Sequence, residues 1–295
     1  MKRIFSLLLM LVMTGCQFND QSSTQSISVA QSVQQTGPQV VADLIARYND
    51  LRQNCGKPSM PAFLCRGIIL RATTPSTNYK SWNPSPHSQS SGGVSFSFLS
   101  QDSKFTTLVY RKTNGFIFYP IFNSPPDKRD IDILCSFPKD GATTLREKPG
   151  CGAHPYAPDR SRLCKVLGIT TAEQWIANYN SYTWNQCAFD VSDSMNHLAA
   201  DAFYQTIRAH QLANFFAGVH DYIELILATW PQDIPKELPL QAFFYMEGGL
   251  AGAQFDQVDF FNSTGGLVLP IIKIILPTTP TANAQFIFNQ ADQVK

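Results

Sequence analysis

A small set of polar side chains in this sequence combines residue types that suit one kind of chemistry. Arg71 closes an apolar run from Phe63 to Thr73 (FLCRGIILRAT) that reads as a buried strand. Ser95 and Ser97 alternate with Val94, Phe96 and Phe98, the period-two pattern of a further strand over Val94–Leu99. Between them, residues 74–91 are rich in Pro, Ser and Asn, read as a loop, and carry Tyr79 and Trp82. Far downstream, Glu247 ends the strand-like run Leu240–Met246. A guanidinium grips a phosphate group through two parallel hydrogen bonds, a geometry that lysine lacks. A carboxylate aimed at a carbon that becomes cationic stabilises it electrostatically. A serine hydroxyl can orient that carboxylate, and aromatic rings can stack on a flat ligand. Asp256 and Glu224 are the alternative carboxylates, and Arg66 is the competing arginine, five residues back and so on the opposite strand face. Each position also has a plainer reading: a strand-end ion pair for Arg71, the solvent side of a strand for the serines, core anchors for Tyr79 and Trp82.

Other constellations are absent from the sequence. It has no Gly-x-Ser-x-Gly nucleophile elbow, no His-Glu-x-x-His and no cysteine pair at zinc spacing. Its five histidines are scattered, and Gly248-Gly249 and Gly265-Gly266 read as turns. No metal is therefore expected. Asp130-x-Asp132 is read as a solvated pair at a strand start. A formal net charge of +1 argues against a nucleic-acid partner.

The N-terminus points to export. Lys2 and Arg3 precede an apolar stretch from Ile4 to Met13 that only Ser6 interrupts, and Thr14-Gly15-Cys16 follows. Residues 1–15 read as a signal peptide whose apolar run is too short to span a bilayer. Met13 to Cys16 resembles the lipobox of bacterial lipoproteins, so Cys16 is the expected lipidation site. That implies membrane attachment through an N-terminal lipid, each buried methylene contributing about 0.8 kcal/mol. The expected location is a periplasmic or outer-membrane lipoprotein, or a secreted form. The remaining six cysteines, Cys55, Cys65, Cys135, Cys151, Cys164 and Cys187, suit an oxidising compartment. Six allow fifteen pairings, among which sequence does not choose, and pairing of neighbours (55–65, 135–151, 164–187) is the expectation.

The elements that must position the polar residues follow from pattern. Residues 16–37 are a Gln/Ser-rich tether, and the globular domain is expected over 38–295. Pro38 opens a helix with Val40, Leu44 and Tyr48 on its apolar stripe. Strands are expected near Thr107–Arg111, Phe116–Ile121, Ile131–Phe137, Tyr222–Thr229 and Leu267–Leu276. A helical block follows Thr170, whose capping box would pair it with Glu173. A second amphipathic stripe runs from Met195 to Ile207. Gly248–Phe261 reads as a helix with Phe255, Val258 and Phe261 facing the core. Mixed or antiparallel strands beside grouped helices predict a single disulfide-stapled α+β domain.

The order Arg71, Ser95-Phe96-Ser97, Glu247 resembles the arginine–serine–glutamate class of ADP-ribosyltransferases and NAD glycohydrolases. The strings LRATTPSTNYKSWNPSP, SGGVSFSFLSQDSKF, NGFIFYP and LPLQAFFYMEGGLAGAQFDQVDFF, with the later LPIIKIILP, resemble the halovibrin family over roughly residues 55–280. The resemblance implies an ADP-ribosyltransferase-like fold and NAD as the substrate. Arg71 would hold the diphosphate, Ser95 would support the glutamate, and Glu247 would stabilise an oxocarbenium-like ribose. Ser97, Tyr79 and Trp82 would complete the substrate site, and a host protein or water would accept ADP-ribose. The sequence departs from the class at Phe96, where the pattern has a small residue, and at Tyr245, where it has a paired acid. Gln254 with Asp256 offers another Gln-x-acid pair, on the expected helix. A different class of function, a non-catalytic surface lipoprotein or adhesin binding host or envelope components, fits the weakly charged, aromatic-rich composition. A glycan hydrolase using Asp130 and Asp132 is a third.

Overall fold

Strands that are apolar on both faces need cover on both sides, and most strands of this chain are of that kind. The computed structural model describes residues 34–56, 62–73, 78–120, 131–143, 151, 163–181, 186–191, 197–213, 221–230 and 238–295. The expected signal peptide, Cys16, most of the tether and Asp130 lie outside the described residues.

Eight strands form one sheet: β1 Ile68–Ala72, β2 Val94–Leu99, β3 Asn114–Phe118, β4 Asp132–Phe137, β5 Glu224–Ala228, β6 Leu240–Tyr245, β7 Ile271–Ile275 and β8 Gln285–Phe288. Their order is β4-β5-β2-β1-β3-β6-β7-β8. All neighbours are antiparallel except β6 and β7. Among the described residues the α-helices are α1 Gly37–Asn49, α2 Ser85–Ser91, α3 Ala172–Ser181, α4 His197–Ala213 and α5 Leu250–Ser263. The α+β class expected from the sequence is therefore present.

Alternation along the strands builds two apolar layers. On one face Ile69, Phe96, Phe98, Phe116, Phe118, Leu225 and Phe243 pack with Trp175 of α3, Phe203 and Ile207 of α4, and Phe260 of α5. On the other, Ile68, Leu70, Ile117, Phe244 and Ile272 pack with Val40, Leu44 and Tyr48 of α1. Two buried arginines hold helices to the sheet. Arg47 of α1 donates to the Gly67 carbonyl (2.8 Å), to Asp43 (2.9 Å) and to Gln241 of β6. Arg66, in the turn before β1, donates from Nη2 to both carboxylate oxygens of Asp102 (2.9 and 3.2 Å) and lies over the Tyr204 ring of α4, whose hydroxyl also donates to Asp102. Burial outweighs the carboxylate beside each and lowers both guanidinium pKa values.

The structure corrects several expectations. The stretch expected as a strand over Thr107–Arg111 is a 3-10 turn at Val109–Arg111. The loop at 74–91 contains α2. The reciprocal cap of α3 belongs to Thr171 and Gln174 (Gln174 N to Thr171 Oγ1, 3.3 Å; Thr171 N to Gln174 Oε1, 3.1 Å), one residue beyond the pair expected. β8 was not anticipated. Helix α5 is turned from its expected orientation: Ala253, Asp256, Gln257 and Phe260 face inward, whereas Phe255 is 62% exposed. The inward polar groups have partners, Gln257 donating to the Leu269 carbonyl (2.7 Å) and accepting from Val294 N (2.9 Å). Gly252 permits this seating, because a Cβ there would lie 2.7 Å from the Asn114 side chain.

Three disulfides close local loops: Cys55–Cys65, Cys135–Cys151 and Cys164–Cys187. The last anchors the segment 186–189, which bridges β4 through Ser136 and Phe189. Trp175 Nε1 donates to the Cys187 carbonyl (3.0 Å). Replacing Cys164 and Cys187 together by Ser is expected to cost about 3 kcal/mol through loop-closure entropy. The loss should exceed that for Cys55 and Cys65, whose bond spans 10 residues rather than 23. Urea denaturation followed by tryptophan fluorescence compares the two; a larger loss at Cys55–Cys65 would contradict the account.

Candidate functional site

Register decides which polar side chains meet. Leu70 of β1 stands opposite Ser97 of β2, and Ser97 stands opposite Glu224 of β5. Ser95, Ser97 and Glu224 therefore share one sheet face, and Arg71 starts from the other, beside Phe96. Arg71 is the penultimate residue of β1, so its guanidinium reaches around the strand ends and donates to the Ser95 carbonyl (2.5 Å), 5.8 Å from the Phe96 ring centroid. Gly115 allows β3 this close to β1, since a Cβ there would sit 1.9 Å from the Arg71 carbonyl oxygen.

These residues open onto a cavity of about 280 Å³ whose walls include Arg71, Ser95, Glu224, Tyr222, Asp140 and Lys112. Glu224 is 2% exposed, and its Oε2 accepts the Gly141 N–H (2.8 Å). Tyr222, two residues earlier on the same face, hydrogen-bonds to Ser95 and Asp140. Burial, followed by the charges of Glu224 and Asp140, raises the Tyr222 phenol well above its ordinary pKa, so it stays neutral. Lys112 is lowered by burial first and by neighbouring Arg71 second. The cavity wall thus includes two cations, Arg71 and Lys112, and two acids, Asp140 and Glu224. Tyr110, Arg111 and Ala142 have φ of 52°, 55° and 47°, the positive-φ residues other than glycine among those described. Tyr110 and Ala142 line this cavity. Strained backbone of this kind costs on the order of 1–3 kcal/mol per residue and gathers at functional sites.

The remaining candidates are placed as follows. Glu247 is exposed in the turn after β6 and is not part of the cavity wall. Ser97 is buried across from Glu224. Tyr79 stacks on His87 of the cavity wall (centroids 5.4 Å apart). Trp82 is wholly buried, its Nε1 donating to Asp259 (2.8 Å) and its ring edge-on to Phe260 (5.0 Å); it anchors the loop to α5 and does not face the cavity. Arg66 is consumed by Asp102. Asp256 is buried on α5, accepting from Ser81, Asn114 (3.3 Å) and Thr73 (3.5 Å). It fastens the ends of β1 and β3 to α5. Asp140, Tyr222, Lys112 and Tyr110 were not singled out by sequence. The Asp140-Gly141 turn pair and the spacing of Tyr222 from Glu224 were signals for two of them.

A larger cavity of about 490 Å³ lies beside α3 and α4, lined by Ile169, Ala172, Phe189 and Leu198. Its walls carry none of the candidate catalytic or substrate-binding residues. Among the described residues no group of three His, Cys, Asp or Glu side chains is placed to hold a metal ion. No helix among them is long and apolar enough to cross a membrane. No protein-family model matches the chain, and no curated protein matches it.

Burial raises the Asp256 pKa to about 6, against smaller opposing effects of its hydrogen bonds. A carboxyl raised in the folded state binds its proton more tightly there than in the unfolded chain. Its contribution to stability is fully present below the unfolded pKa, about 4, and is lost as pH rises through 6. Asp256→Asn should therefore match the wild type at pH 4 and exceed it by roughly 1–2 kcal/mol at pH 7. Urea titrations at the two pH values check this, and equal offsets at both would refute it.

Proposed function

We propose that this chain is an exported enzyme that cleaves the nicotinamide–ribose bond of NAD, with an ADP-ribosyltransferase-like fold related to the halovibrin family. The observation that carries the reading is the meeting of Arg71, Ser95 and Glu224 at one cavity, from three neighbouring strands. In this reading Glu224 takes the catalytic role for which Glu247 was the first expectation. Three disulfides are compatible with an exported protein, and a lipid on Cys16 remains part of the proposal.

Arg71, with Lys112 beside it, would bind the diphosphate, whose negative charge relieves the repulsion between the two cations. The ribose would then lie toward Glu224. As the bond between C1′ and the pyridinium nitrogen breaks, its electron pair leaves with neutral nicotinamide, and positive charge grows on C1′ and the ring oxygen. The Glu224 carboxylate, fixed by the Gly141 N–H, would stabilise that charge without reorganising. Water adds to C1′ from the opposite face and loses a proton to solvent, giving ADP-ribose. A protein nucleophile in place of that water would give transfer.

Arg71→Ala and Glu224→Gln are expected to lower nicotinamide release from NAD by about 100-fold or more, the scale on which removal of one transition-state contact acts. Glu247→Gln should leave it unchanged. The assay is nicotinamide release by the disulfide-bonded protein, with circular dichroism to verify folding. Full activity in Glu224→Gln with loss in Glu247→Gln would overturn the site; no release by the wild type, with and without protein acceptors, would overturn the function.

A further inference from the structure

Tyr110 is 71% exposed, yet it belongs to the wall of the Arg71 cavity. A large aromatic side chain is held in solvent by a backbone that no tyrosine prefers, φ 52° followed by Arg111 at φ 55°. The turn is bonded at its base, Arg111 N to the Leu108 carbonyl (2.9 Å) and Lys112 N to the Val109 carbonyl (3.1 Å). A largely exposed aromatic ring beside two cations is what a nucleotide base uses.

Contacts give the order of groups along the cavity. Lys112 Nζ lies 5.8 Å from the Tyr110 ring centroid. Lys112 also feels the charge of Arg71. Arg71 reaches Ser95, and Ser95 reaches Tyr222, two residues from Glu224. The phosphate-binding cations thus stand between the exposed ring and the buried carboxylate. A cavity of about 280 Å³ is at the lower end of small-molecule sites and is too small to enclose a dinucleotide. One half of such a ligand must lie outside.

We propose that Tyr110 is the stacking platform for the adenine base, which lies over the cavity mouth while the nicotinamide riboside half enters toward Glu224. The inference rests on the proposed NAD reading and adds where the dinucleotide's second half is held. Tyr110 is then a specificity-determining residue: it selects nucleotides bearing a second base and takes no part in bond cleavage.

The test uses the full disulfide-bonded chain and its Tyr110→Ala and Tyr110→Phe variants. Equilibrium binding of ADP-ribose and of inorganic pyrophosphate is measured, followed by NAD turnover. Tyr110→Ala should weaken ADP-ribose about tenfold, within the range found when a base loses its aromatic partner, and leave pyrophosphate unchanged. Tyr110→Phe should bind as the wild type. In turnover the loss should appear in KM and not in kcat. Equal weakening of both ligands, or none of either, overturns the platform. A wild type that binds ADP-ribose tightly through Tyr110 but releases no nicotinamide would sink the catalytic reading and keep the platform. A wild type that binds neither ligand would overturn both.

Discussion

A carboxylate buried at the first residue of an interior strand is the constraint on which the cavity wall depends. Glu224 is flanked by β2 and β4 and nearly closed to solvent. An ionised carboxylate so placed is costly unless hydrogen-bond donors meet it. One donor is the Gly141 N–H, presented by the turn after β4 in which Ala142 takes the left-handed region. That turn needs its own support. Asp140 Oδ1 accepts from Ala142 N (2.8 Å), and the Asp140 carbonyl accepts from Gln186 Nε2 (2.6 Å). Gln186 adjoins Cys187, whose disulfide to Cys164 fixes the segment behind the wall. A covalent staple therefore supports a strained turn, which supports one amide, which supports one charge.

Much of this architecture was legible because the hydrophobic pattern is strong. β2 occupies the residues its alternation indicated, and β4, β5, β6 and β7 fall within their apolar runs. β8 was missed because Gln285–Phe288 is a four-residue edge strand with two exposed residues, too short for its three apolar side chains to set a clear period. The turn at Val109–Arg111 was misread because Leu108, Val109 and Tyr110 look β-prone, and nothing in their types announces a left-handed backbone.

Helix α5 shows why the site carboxylate was harder to read. Hydrophobic periodicity selects Phe255, Val258 and Phe261 as the inner face, yet the helix buries Asp256 and Gln257. What turns it is a set of specific hydrogen bonds, to Ser81, Thr73 and Asn114 on one side and to Leu269 and Val294 on the other. Such bonds depend on partners 12 to 183 residues away in sequence. A one-dimensional pattern therefore does not contain them. The same blindness applies to Glu247 and Glu224. Both end or begin apolar runs, and only the strand order tells which one stands beside Ser97.

The two arginines near β1 make the complementary point. Arg66 and Arg71 look alike in sequence, and both lie among apolar residues. Arg66 is 1% exposed and held by Asp102, the Asp50 carbonyl and the Tyr204 ring, so its charge is met within the fold although its Nε has no hydrogen-bond partner. Arg71 donates to a carbonyl of β2 at the wall of the cavity that Glu224 and Asp140 also line. Lys112 stands at the same wall, its pKa lowered by burial and then by the positive charge of Arg71. Like charges held together repel, and in the proposed diphosphate site an anion between them would offset that repulsion. Arg66 serves the fold, whereas Arg71 and Lys112 stand at a cavity wall, where the proposed diphosphate would meet them.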